Sequence, residues 1–108
     1  MTVYIDDMYR HAIGRFGRMK MSHMIADTED ELHAMAAAIG VARKWYQGDH
    51  YDVSMSMRGA AITRGAAAIT YRTLALMANN RRSGWTLGTP ETAEMIFRLR
   101  MALRNPST

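Results

Sequence analysis

The stretch "MSHMIADTEDELHAMAAAIG", Met21 to Gly40, decides the fold, because it changes periodicity partway along. Met21, His23 and Ile25 alternate with Ser22, Met24 and Ala26, which is the two-residue period of a strand. Apolar residues on both sides place that strand inside a sheet rather than at its rim. At Thr28 the pattern switches. Thr28 and Glu31 make a T-x-x-E capping box, and Glu29, Asp30 and Glu31 fill the first turn, where the helix dipole favours acids. Leu32, Met35, Ala36 and Ile39 then recur at helical spacing, and Gly40 suits the position just past a helix end. A central strand running into a capped helix is a unit of a layered α/β fold.

Upstream, "TVYI" (Thr2–Ile5) reads as a first strand ending at Asp6-Asp7, and "AIGRFGRMK" (Ala12–Lys20) has the composition of a loop. Downstream, "ARKWYQ" (Ala42–Gln47) reads as a short strand or extended edge. "HYDVS" (His50–Ser54) leads into a second helix, capped by Ser54 or Ser56 and ended by Gly65. "AAAIT" (Ala66–Thr70) reads as a further strand, and Thr70 caps a third helix reaching about Asn79. "NNRRSGWTLGTP" (Asn79–Pro90) is a polar linker around Trp85. The last helix has Thr89 as N-cap, Pro90 and Glu91 in its first turn, and an apolar stripe of Ile96, Leu99 and Leu103 with Met95 alongside. Arg98, Arg100 and Arg104 lie toward its end and Pro106 just beyond. The order β–β–α–β–α–β–α–α predicts an α/β (or α+β) fold: a small, mostly four-stranded sheet, about three packed helices and a C-terminal amphipathic helix. Residues 1–85 form one domain in this reading. Residues 86–108 form an appendage whose stripe pairs with a second copy to make a homodimer.

With 108 residues the chain is one domain, large enough for a modest core. It has no cysteine, which excludes disulfides and thiolate zinc sites. No apolar run reaches the ~18 residues of a membrane span, and the first residues lack the basic start and apolar stretch of a signal peptide. A cytoplasmic setting with no membrane partner is therefore expected. The net charge of +4 is unevenly spread. Residues 1–53 hold six Lys/Arg and eight Asp/Glu, whereas residues 54–108 hold eight Arg and two Glu. A basic half favours an anionic partner: nucleic acid, a nucleotide or an acidic protein.

The chemistry concentrates in "QGDHYDVSMSMR", Gln47 to Arg58, which sets Asp49, His50, Tyr51 and Asp52 side by side. On a strand, His50 and Asp52 project to one face. A carboxylate beside an imidazole raises its pKa and fixes its tautomer, which suits a phosphate-binding imidazolium, a general base or a metal ligand. The competing reading is a polar turn in which Asp52 caps the next helix. His23, among apolar strand residues, is read as a buried imidazole bonded to a carbonyl or carboxylate, and also as a further catalytic candidate. His33 is read as a helix-to-loop tether. His23, His50, Asp52 and Asp6 are chemically adequate for zinc or manganese. There is no H-E-x-x-H and no paired ligand spacing on one helix, so no metal and no cofactor are expected. Gly14 and Gly17, with Arg15, Arg18 and Lys20, would offer amides and cations to a phosphate, although no P-loop or nucleophile elbow is present. Trp45 and Tyr46, beside Arg43 and Lys44, fit a base-stacking device or a core contact against the first helix.

Several of these segments together carry a resemblance. The acid Asp6 at the strand end, the Gly-Arg loop, Ser22-His23, Ala26-Asp27, "ELHAMA" (Glu31–Ala36), "HYDV" (His50–Val53) and Gly65-Ala66 occur in an order and spacing similar to the domain-of-unknown-function family 4031, found in bacteria and tailed phages. The resemblance runs from Val3 to about Arg82. It departs where bacterial members have a proline after the first acid and this chain has Asp7-Met8-Tyr9. "VYIDDM" and "GRMKM" are most similar to phage members, which implies a viral source and a host cytoplasm. The family implies no particular activity.

Three functional readings follow. The first is a phage-type accessory protein that binds an anionic nucleotide-like ligand, with Arg15, Arg18 and Lys20 on phosphate, Trp45 or Tyr46 stacking, and His50, Tyr51 and Asp52 orienting. The second is a phosphoester hydrolase or nuclease with His50 as base and Asp52 as its orienter. The third is a basic interaction protein that binds nucleic acid or inhibits a host protein complex.

Overall fold

The computed structural model describes residues 1–104. Strand β1 (Val3–Ile5) is followed by two 3-10 turns, Met8–Arg10 and Ala12–Gly14. A hairpin then joins β2 (Arg15–Phe16) to β3 (Met19–Ala26). Helix α1 (Glu29–Ala38), a 3-10 turn (Arg43–Trp45), β4 (Tyr51–Ser54), α2 (Met55–Thr63), β5 (Ala67–Ala68), α3 (Tyr71–Arg82) and α4 (Ala93–Arg104) follow. The α/β reading holds, and so does the C-terminal helix.

Strand β3 is the hub. Its start pairs antiparallel with β2, its middle with β4 and its end with β1, while β5 runs parallel to β1. The sheet is mixed and five-stranded, one strand more than the sequence reading counted. The added strand comes from "AIGRFGRMK", which is a hairpin and not a loop. Gly17, at φ 62°, takes the first central position of the tight Gly17-Arg18 turn, the conformation a type II′ hairpin asks of that residue. At Gly14 the constraint is space, since a Cβ there would collide with the carbonyl of Met8.

A second correction concerns the third strand of the reading. "ARKWYQ" forms a 3-10 turn, and the strand is Tyr51–Ser54. Tyr51 and Val53 are fully buried while Asp52 and Ser54 are not, a half-buried alternation that the adjacent cations of "ARKWYQ" cannot supply.

The caps behave as local chemistry dictates. Thr28 Oγ1 accepts the Glu31 N–H at 3.2 Å, Ser54 caps α2 through Met57 N–H, and Thr70 caps α3 through Thr73 N–H. Asp7 adds a cap from far along the chain, accepting Tyr71 N–H at 2.7 Å.

The two sheet faces carry two cores. On one, Val3, Ile5, Met24, Ala26, Tyr51 and Val53 pack against Leu32 and Ala36 of α1 and Ala61 of α2. On the other, Tyr4 and Ile25 pack against Leu74 and Met77 of α3, with Leu87 and Ala93 beside them. Helix α4 lies on α3. The buried Asn80 amide donates to the Ala93 carbonyl at 3.1 Å, and Arg100 Nε donates to Asn80 Oδ1 at 3.3 Å. Helix α4 is thus tied to the domain formed by the residues before it. The apolar stripe divides: Ala93 and Ile96 are buried, whereas Met95, Leu99 and Leu103 stay exposed. The helix begins at Ala93 rather than at Pro90, after a turn closed by Thr92 N–H to the Thr89 carbonyl. Pro106 lies outside the described residues. Among the described residues no helix is long and apolar enough to cross a membrane.

Candidate functional site

The pairing of β3 with β4 sets His23 opposite Asp52 and Met21 opposite Ser54. Strand alternation sends all four to one sheet face, the face that α3 covers at Ile25 but leaves open farther along β3. His50 precedes β4 and brings its ring to 5.1 Å from that of His23, centroid to centroid. Nε2 of His23 lies 3.7 Å from Asp52 Oδ1, and Nε2 of His50 lies 3.6 Å from the same oxygen. Both separations are too long for hydrogen bonds.

Each imidazole is held from behind. Asp6 is fully buried. Its Oδ1 accepts the backbone N–H of His23 at 2.8 Å and of Met8 at 3.0 Å, and its Oδ2 lies 2.9 Å from His23 Nδ1. Arg58 Nε in turn donates to the Asp6 backbone carbonyl at 2.9 Å. Asp49 does the same work for His50, with Oδ1 at 2.6 Å from Nδ1. Arg82, in the last turn of α3, clamps both oxygens of Asp49 through Nε and Nη2. With Nδ1 of each ring on a carboxylate, Nε2 is the free position. Asp52 Oδ2 accepts from the Gln47 amide at 2.9 Å, while its Oδ1 is buried and has no donor among the described residues.

Charge follows from this arrangement. Burial pushes the His23 imidazole down, but the Asp6 hydrogen bond and the charges of Asp6 and Asp52 outweigh it and hold the ring above its ordinary value. Burial pushes the Asp49 carboxyl up, and the Arg82 and His50 bonds outweigh that and hold it below the usual carboxylate value. The same Asp49 bond raises Arg82.

Two concavities meet at this cluster. A cleft of about 240 Å³ is lined by His23, His50, Tyr71, Asn79 and Arg82 among others. A larger groove of about 580 Å³ has Met19, Met21, Trp45 and Met57 as its apolar wall, with Gln47, Asp52 and Ser54 as its polar groups. Asp52 stands between the two.

The structure sorts the residues singled out from sequence. His23, His50 and Asp52 come together. The orienter of His50 is Asp49 rather than Asp52. Trp45 is exposed on the groove, with Lys44 Nζ 5.3 Å from its ring centre, and is not a core contact of α1. Tyr51 is fully buried, and its hydroxyl is 2.7 Å from His33 Nδ1, so it faces the core instead of a ligand. Tyr46 packs on that core edge-on to His33 and donates to the Gly48 carbonyl, so its ring is committed to structure. His33 tethers α1 to β4 and not to a loop, with Glu29 on its other nitrogen at 3.1 Å. Arg15 and Lys20 are cross-strand partners in the exposed hairpin, with Arg18 in its turn, and none lines either concavity. Lys20 sits one residue out of phase with Met21 and His23, which sends it to the other face. Sequence reasoning did not assign Arg82 to the site. Its signal was only a pair of arginines at a helix end, where cations are common for dipole reasons.

The chain belongs to the family described as protein of unknown function (DUF4031), which matches residues 3–81. That span carries Asp6, His23, Asp49, His50 and Asp52 and stops short of Arg82 and α4. No curated protein and no solved structure matches the chain.

Proposed function

We propose that this member of the family is a phosphoester hydrolase that seats a nucleotide-like substrate along the Trp45 groove and works on its phosphate at the His23–His50–Asp52 cluster. One observation carries the reading. Two imidazoles, each anchored at Nδ1 by its own carboxylate, aim their free Nε2 atoms at one buried carboxylate oxygen beside a groove walled by an exposed tryptophan. Stacking on Trp45 tolerates any base, and Gln47, Asp52 and Ser54 offer polar contacts to base or sugar. Arg82 lines the cleft with the histidines and brings positive charge. In the net reaction water adds across one P–O bond, its hydroxyl to phosphorus and its proton to the leaving oxygen.

Ligand binding without turnover is the second reading, favoured by Lys44 above the exposed Trp45 ring. A phage-type accessory role in a host cytoplasm belongs to the same proposal and rests on the wording of "VYIDDM" and "GRMKM". So does a homodimer, for which the exposed Met95, Leu99 and Leu103 offer a self-complementary apolar strip.

The test incubates the purified chain with an activated phosphodiester, single-stranded DNA and RNA oligonucleotides and nucleotides. Turnover of at least one of these, lost in His50→Ala, is the expected result. Trp45 quenching by a nucleotide with no turnover of any substrate leaves the binding reading, and neither response refutes both.

A further inference from the structure

We infer that His23 Nε2, His50 Nε2 and Asp52 Oδ1 form a binding site for one divalent transition-metal ion of the zinc or manganese class. The inference deepens the hydrolase reading of the same cluster, yet its ligand geometry stands without it.

The three donor atoms all lie within 4.8 Å of one another. Donors sharing one tetrahedral ion at ~2.0–2.1 Å sit about 3.4 Å apart. The 3.6 and 3.7 Å separations here are close to that spacing and fit no hydrogen bond. They are what remains when atoms gather around a common point without touching.

Each donor is also held through the atom an ion would not use. Asp6 takes His23 Nδ1, Asp49 takes His50 Nδ1, and Gln47 takes Asp52 Oδ2. Carboxylates behind ligating histidines fix ring orientation and tautomer and raise ligand basicity. Asp49 has its own support in Arg82.

Asp52 Oδ1 supplies an independent observation. It is buried and bonded to nothing among the described residues. A buried carboxylate oxygen without a partner carries a desolvation cost that a cation would relieve. The charges around it agree. Three carboxylates gather here, Asp6, Asp49 and Asp52; the guanidinium of Arg82 pairs with Asp49, and Arg58 reaches Asp6 only at its backbone carbonyl. With the rings neutral, as ligands must be, the cluster is short of positive charge.

The donor set names the class. Two imidazoles and a carboxylate suit zinc, manganese or ferrous iron, and not calcium or magnesium, which take oxygen donors. Three protein donors leave at least one position for water or a phosphate oxygen, the hallmark of a catalytic rather than a structural site. Residue type alone names these three, with Asp6, as possible ligands; spacing argues against a metal only because the donors are brought together by strand register and not by one helix.

The experiment is calorimetry of the full chain, stripped with chelator, against Zn²⁺ and against Mn²⁺, with no substrate present. One equivalent should bind, and His23→Ala, His50→Ala and Asp52→Ala should each weaken binding at least tenfold. His11→Ala, outside the cluster, should leave it unchanged. Should a variant not fold, nitrogen NMR of the histidine rings in the unmutated protein replaces it: the Nε2 signals of His23 and His50 should move on metal addition and those of His11 and His33 should not. Absence of stoichiometric uptake, uptake unaltered by all three substitutions, or ring shifts elsewhere overturns the inference. Metal uptake without hydrolysis refutes the hydrolase and keeps the site. Hydrolysis by stripped protein that takes up no metal does the reverse.

Discussion

Asp6 grips His23 twice, accepting its backbone N–H at 2.8 Å on one carboxylate oxygen and meeting its ring Nδ1 at 2.9 Å with the other. A third bond, from Met8 N–H, leaves this buried side chain bonded to two backbone amides and a ring. Removing it strands two backbone donors. Asp6→Ala should therefore lower unfolding free energy by about 2–4 kcal/mol in urea titrations, since each orphaned buried donor costs roughly 1–3 kcal/mol and partial relaxation recovers some of it. A loss under 0.5 kcal/mol would show that the Asp6 contacts are not what holds this corner.

The same pair sets a pH signature in the metal-free protein. The His23 ring titrates above its ordinary value in the folded state because the Asp6 bond and charge, with Asp52, outweigh burial. A raised folded pKa adds stability that is complete below the unfolded value, near 6.5, and is lost as pH rises through the folded value. In Asp6→Asn burial is left with little opposition, so the NMR titration of His23 should move down and that stretch of the pH–stability profile should flatten. An unmoved His23 titration contradicts the assignment.

Tyr51→Phe separates structure from function. The hydroxyl is buried against His33 at 2.7 Å, so its loss should cost about 1 kcal/mol or somewhat more of stability. Nucleotide affinity should be unchanged, as calorimetry on the folded variant can establish. Weakened binding at unchanged stability would restore Tyr51 to the ligand list.

Trp45→Ala should do the opposite. The side chain is 62% exposed, so melting should shift little, while base-stacking loss should weaken nucleotide or single-strand binding by about 1–3 kcal/mol. Equal affinity for both proteins would remove the groove from the functional reading.

Helix α4 offers a paired test. Ile96 is buried, with its side chain close against Gly88, and Ile96→Ala should destabilise the fold by about 2–4 kcal/mol. Leu99→Asp with Leu103→Asp, at exposed positions, should leave melting nearly unchanged and convert a dimer mass to a monomer mass in light scattering. A monomer mass for the unmutated chain at tens of micromolar rules out the homodimer.

Much of this protein was legible from sequence because much of its structure is local. Thr28, Ser54 and Thr70 cap helices through amides three residues away, and such contacts depend on nothing distant. The strand at Met21–Ala26 and the helix after it follow from periodicity alone. His50 and Asp52 stand out for a similar reason, as an i, i+2 pair that an extended chain sends to one side, although the strand itself starts at Tyr51. The strand "ARKWYQ" failed because a strand exists only where a neighbour completes its hydrogen bonds, and β3 offers that edge to Tyr51–Ser54.

Only tertiary structure decided the site. Whether His23 meets Asp52 depends on the register of β3 against β4, and a slip of one residue would turn Asp52 to the other face. Asp6 reaches His23 from the end of the neighbouring strand, 17 residues away in sequence, and Arg82 reaches Asp49 from the last turn of α3, 33 residues along the chain. The sequence by itself determined which elements form, because their energetics close within a turn or a strand. It left open which polar side chains share a point in space, because that depends on long-range pairing and on two cores packing at once.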